Sequence, residues 1–187
     1  MKQTGTLLTF LLASLILLAS CATAPRAPKT TEVVVPSWYS TPPVDANYLF
    51  VPATALSQDL QHAVNTAKEE ARVGIARDMR VKIQAMFKRF REETGVGEDA
   101  EFLSMETDAS KSIVSETLVG CKARTQKILR EGTLYRVYVL MELPIGAANA
   151  EMLAKIKENE RMYTRYRASE AFKELEEEVE KYEKIKK

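Results

Sequence analysis

Apolar positions at Leu60, Val64, Ala67, Ala71 and Ile75 recur at steps of four, three, four and four, the period of one face of an α-helix. Ser57 stands ahead of them as an N-cap. Ala63, Ala67, Ala71 and Ala76 leave room for close approach to a sheet, and Lys68, Glu69, Glu70 and Arg72 supply the solvated side. From Met79 to Phe87 the rhythm changes: Met79, Val81, Ile83 and Ala85 alternate with Arg80, Lys82 and Gln84, and Phe87 keeps the same step, as in a half-buried strand. Met79, Ile83, Met86, Phe87 and Phe90 also fit a helix, but the alternation predicts a strand over 81–89. Residues 92–97 read as a loop with two glycines, and Phe102, Met105, Ala109, Ile113 and Leu118 then mark a second amphipathic helix that Gly120 closes.

Further along, 121–129 and 134–143 flank the turn Arg130-Glu131-Gly132-Thr133, a hairpin signal. In the second arm Tyr135, Val137, Val139, Met141 and Leu143 form a continuous apolar face, which predicts the core side. Upstream, Tyr48-Leu49-Phe50-Val51 reads as a short first strand that Pro52 ends, with the proline at an edge or bulge. The segment 33–43 holds Pro36, Trp38, Pro42 and Pro43 and reads as an extended arm rather than a helix. Trp38, the only tryptophan, either packs on the domain or anchors a partner. After Pro144 the chain from about 147 to 187 shows no breaker. As one helix it would reach about 60 Å and project from the domain. Phe172, Leu175, Val179 and Tyr182 recur on it at heptad-like spacing, so they are candidates for a partner or self-association surface.

The N-terminal pattern is of another kind. The nearly unbroken apolar run from Leu7 to Leu18 is shorter than the about 20 residues a membrane-spanning helix needs. Lys2 before it and Ala19 and Ser20 after it complete the layout of a secretory signal. Leu18-Ala19-Ser20-Cys21 looks like a bacterial lipobox, in which Leu18, Ala19 and Ser20 are read by the signal peptidase and the thiol of Cys21 takes the lipid. Two or three acyl chains on that residue would make a lasting membrane anchor. Ala22, rather than an aspartate, resembles the sorting pattern for the outer membrane. The domain expectation is therefore a removed signal over 1–20, a lipidated cysteine and tether over 21–35, an α+β domain over 36–145 and a long charged helix over 146–187.

Composition narrows the function classes. Lys and Arg total 27 against 26 Asp and Glu, so no global field favours nucleic acid. With Cys21 lipidated, Cys121 has no intramolecular partner and reads as a small buried apolar residue. One histidine, His62, and one spare cysteine do not make a standard zinc set, no Gly-x-Ser-x-Gly elbow is present, and Gly95-Val-Gly97 is a weak phosphate signal. Glu92, Glu93, Glu98, Asp99 and Glu101 gather around a loop, where paired carboxylates would have to meet for acid–base work. A solvated charge run is the reading preferred here, so no enzyme, no cofactor and no small-molecule substrate are expected.

The order of lipobox, proline tether, Pro36-Ser-Trp38, Pro42-Pro43, short strand, alanine-rich helix and a late hairpin with Tyr135-Arg-Val-Tyr-Val-Leu resembles the bacterial LPP-twenty lipoprotein family over roughly 36–145. The motif residues that carry over are Pro36 and Trp38 of the arm and Ala63, Ala67 and Ala71 of the helix. Where that family often has a glycine-containing segment, this chain has Val51-Pro52-Ala53-Thr54. The resemblance implies a small α+β domain that assembles or binds rather than catalyses, and the family includes envelope and flagellum-associated lipoproteins. The fold expected is α+β: a small, mainly antiparallel sheet of three to four strands packed by two helices, plus the long C-terminal helix. The function expected is a structural or accessory lipoprotein at the outer membrane, facing the periplasm, with itself or envelope proteins as partners. The alternative is a regulatory lipoprotein that activates a peptidoglycan-synthesising enzyme.

Overall fold

A computed structural model describes residues 34–95 and 99–186. Leu18, Ala19, Ser20, Cys21 and nearly all of the tether lie outside the described residues. In chain order the elements are a helical turn α1 (Ser37–Ser40), β1 (Tyr48–Ser57), α2 (Leu60–Thr94), α3 (Ala100–Leu118), β2 (Lys122–Glu131), β3 (Leu134–Pro144), α4 (Ile145–Glu158), α5 (Glu160–Tyr166) and α6 (Glu170–Lys186).

The hairpin forms with a tighter turn than the signal predicts, because Arg130 and Glu131 pair as the last residues of β2. Glu131 pairs with Leu134 across a two-residue loop, and Gly132 takes the positive φ (61°) that suits the first position of such a loop. Strand β3 is central in the order β1-β3-β2, and both pairings are antiparallel. Its odd-numbered face is the core side: Val137, Val139, Met141 and Leu143 are all buried against the helices. Pro52 does not end β1, which runs on to Ser57. As an outer strand it needs no ladder donor on its free side, so a proline is tolerated within it.

The predicted strand at 81–89 is helix. Helix α2 is a single element of 35 residues, about 50 Å long, and its buried positions are Ala63, Ala67, Ala71, Ile75, Met79, Ile83, Phe87 and Phe90. No glycine or proline interrupts Ile75 to Phe90, so the helix once nucleated continues, and Val81 of the alternating set is 62% exposed. Side-chain size along this face follows what it packs on. Small alanines and Gly74 meet the sheet, where a Cβ on Gly74 would stand only 2.6 Å from Val51 Cγ1, and the large Met and Phe residues meet other helices. The helix begins two residues later than Ser57 suggests: Asp59 is the N-cap, its carboxylate accepting the His62 N–H at 2.6 Å, while Ser57 Oγ accepts the Asp59 N–H.

The arm is not wholly extended. Pro36 sits just outside a helical turn and its carbonyl accepts the Tyr39 N–H at 3.0 Å, a place where the missing proline N–H costs nothing. This turn covers the sheet face opposite the helices. Tyr39 meets Tyr138 edge-on at 4.9 Å, and Tyr138 and Leu140 on that face are buried. The sheet is thus covered on both sides of its centre.

The expected single helix over 146–187 is instead three helices. Asn159 and Ser169 break it, each as an N-cap, accepting the backbone N–H of Met162 (3.1 Å) and Phe172 (3.2 Å). Helix α6 returns antiparallel along α4: Lys157 pairs with Glu176, Asn149 donates to Glu178, and Tyr182 covers Gly146. The driving force is burial, because a projecting helix would leave Met162, Tyr166, Phe172, Leu175 and Val179 in water, whereas all five are buried here. The segment after 145 belongs to the same compact unit as the sheet.

Candidate functional site

The residues singled out from the sequence do not converge. Phe172, Leu175 and Val179 are core residues, 1%, 1% and 6% exposed, so their heptad-like spacing serves α6 against α4 and α2 rather than a partner. Tyr182 is half-buried over Gly146, and Trp38 is half-buried in the arm. The buried stripe of α3 is also displaced from the apolar one expected. Phe102 and Ile113 are buried as read, but between them Glu106 and Ser110 face inward while Met105 and Ala109 are half-buried.

Glu106 is the centre of what sequence reasoning missed. Its carboxylate accepts from the Arg91 guanidinium of α2 and from the Tyr166 hydroxyl of α5, and Ser110 Oγ bonds the Glu106 carbonyl at 2.8 Å. Glu106 is 5% exposed and Tyr166 fully buried. Phe87, Phe90 and Phe102 ring Tyr166 with centroids 5.0 to 6.1 Å away. Burial and the adjacent carboxylate push the Tyr166 phenol far above its ordinary range, so it stays a donor. Every polar member is satisfied, and the network pins three helices together.

The loop carboxylates are occupied in structural tasks. Glu92 pairs with Lys88, Asp99 is the N-cap of α3, and Glu101 meets Arg161 at 2.6 Å; Glu98 lies outside the described residues. Glu93 reaches across to α6, where it accepts the Ala171 N–H at 2.8 Å while Arg89 bonds it at 2.8 Å and Glu174 at 2.7 Å. The Ala171 N–H and then Arg89 hold the Glu93 carboxyl below the ordinary glutamate range. A folded pKa below the unfolded one gives stability present above the unfolded value, about 4.3, and lost as pH falls through the folded one. Glu93→Ala is therefore expected to lower Tm at pH 7, with the gap from the parent protein narrowing as the pH is taken below 4.3 or so. Thermal unfolding across that range checks it, and a gap independent of pH would contradict the assignment.

A second carboxylate contact joins α3 and α4. Glu116 and Glu151 meet beside Lys155, whose Nζ lies 3.2 Å from the first and 4.0 Å from the second. Burial and the neighbouring Glu116 raise the Glu151 carboxyl, and the hydrogen bond from Glu151 lowers Glu116. Cys121 is 8% exposed, and burial raises its thiol pKa, which suits the apolar role read from the sequence. Among the described residues no three His, Cys, Asp or Glu are placed to hold a metal ion, and no helix is long and apolar enough to cross a membrane.

One surface stands apart. Strand β2 packs against β3, and among the described residues no helix packs closely on it. Its residues are exposed or half-buried along the whole length, and Ile128, on the face that should meet helices, is 41% exposed. It carries Lys122, Arg124, Lys127 and Arg130. Arg124 pairs with Glu142 at 3.0 Å and lies 5.1 Å over the Phe50 ring, whereas Lys122, Lys127 and Arg130 have no ion-pair partner among the described residues. Arg130 rests over Tyr135 at 5.7 Å and donates to the Gly132 carbonyl. A register shift at Arg124 leaves 125–131 as the regular part of the free edge.

Neither a family model nor a curated protein matches the chain.

Proposed function

We propose that this protein is a lipid-anchored lipoprotein of the bacterial cell envelope, held at the outer membrane through Cys21, with a structural or accessory role exerted by protein–protein association. The observation that carries the reading is the sequence Leu18-Ala19-Ser20-Cys21 at the end of an apolar run too short to span a bilayer. A mixed helix and sheet domain after a short tether is compatible with the resemblance to LPP-twenty lipoproteins. Two polar clusters of the helical layer, around Glu106 and Glu93, hold helices together, which supports a binding module over a catalyst. With Phe172, Leu175 and Val179 in the core, the exposure of the outer strand β2 supports association through the sheet instead.

Cys21→Ala is the direct test of the anchor. It is expected to leave a full-length precursor without lipid, larger than the mature protein on a gel. Normal cleavage of that variant would overturn the reading.

A further inference from the structure

We infer that the free edge of β2 is a docking site for an acidic, extended segment of a partner protein, added as a fourth strand beside Thr125–Glu131. The inference deepens the proposed association function and rests on it for the existence of a partner, but the surface is argued from its own geometry. Alternate residues of an outer strand aim N–H and C=O away from their neighbour, so the β2 edge offers a ready ladder. The other outer strand, β1, is a poorer template because Pro52 in its middle has no N–H to donate.

Charge chooses the occupant. The four cations on β2 are opposed by only one acid on the strand, Glu131, which Arg136 already holds at 2.6 Å. A second copy of this chain pairing β2 to β2 would set Lys and Arg against Lys and Arg, a destabilising cross-strand arrangement. Edge lysines are an established device against such self-pairing, and the same charges attract a strand of opposite sign. The two faces of β2 add a pattern. Lys122, Thr125, Lys127 and Leu129 share the face of Tyr138, and Gln126, Ile128 and Arg130 share the helix side, where Ile128 is exposed. An incoming strand that alternates acidic and apolar residues matches Lys127 on one face and Ile128 on the other.

The test uses the full chain in detergent with two blocked heptapeptides as probes, Glu-Val-Glu-Val-Glu-Val-Glu and the same sequence with Lys for Glu. Amide hydrogen exchange is expected to slow over 125–131 with the acidic peptide and not with the basic one. The slowing should be lost in about 0.5 M salt, where charges on an exposed edge are screened. The double variant Lys122→Glu, Lys127→Glu should bind the acidic peptide at least tenfold more weakly while keeping its circular dichroism. Since the salt arm uses the parent protein, misfolding of the variant would not blunt the test. Slowing over 51–56 instead, equal binding of both peptides, or no slowing at millimolar peptide would overturn the inference. Those results would leave the lipoprotein reading standing, because it fails separately, on the processing of Cys21→Ala.

Discussion

Arg91→Leu is expected to be among the most damaging single substitutions in the chain. It removes the one cation that bonds Glu106 among the described residues, and stranding one member of a buried ion pair, here a carboxylate whose side chain is 6% exposed, costs on the order of 3–5 kcal/mol. For a domain of this length that corresponds to a fall in Tm of roughly 10 °C. Tyr166→Phe, which takes away one donor and leaves the ring stack, should cost less, about 1–3 kcal/mol. The triple variant Arg91→Leu, Glu106→Leu, Tyr166→Phe should recover most of the loss, since the charge that needed satisfying is gone. Thermal and urea unfolding of the three proteins measures this. If the triple variant is as unstable as Arg91→Leu, the loss comes from packing and not from an orphaned charge.

Ending the chain before Glu170 is expected to abolish cooperative folding. Phe172, Leu175 and Val179 each bury a side chain worth about 1.5–3 kcal/mol, and Phe172 also packs edge-on to Phe90 and Tyr163 at 6.1 and 5.9 Å. Their sum is comparable with the about 5–15 kcal/mol that holds a domain together. Removing them would also bare the α2 and α4 surfaces beneath. The truncated protein should bind a hydrophobic dye and unfold without a sharp transition. A truncation that kept the parent Tm would restore the projecting helix that periodicity alone suggested.

The contrast between these two regions shows what a single sequence discloses. The hairpin was legible because Gly132 and strict alternation from Tyr135 to Leu143 leave one register and one core face. The alanine face of α2 was legible because it keeps one period. Its continuation was misread because Val81 and Ala85 are apolar residues on the solvent side, and they turn a four-residue repeat into an apparent alternation. The C-terminal breaks were missed because Asn159 and Ser169 look like ordinary helix-surface residues. Each precedes a glutamate, the pattern of an N-cap with acid in the first turn, and that signal was available. Glu106 was beyond pattern reading. A charged residue on a core stripe is found only through its partners, and these lie 15 residues away in Arg91 and 60 away in Tyr166.

For the surface, the basic character of 122–130 was visible but its meaning was not. Only the sheet order shows that β2 is an outer strand left uncovered by α2.

The proposed tethering of this domain to a membrane through Cys21 has a direct chemical signature. Mass spectrometry of the N-terminal peptide of the protein extracted from the membrane fraction tests it most directly. A chain beginning at Cys21 and carrying the added mass of a diacylglycerol and an N-acyl group is expected; a chain that begins elsewhere, or at Cys21 without lipid, would overturn the proposal.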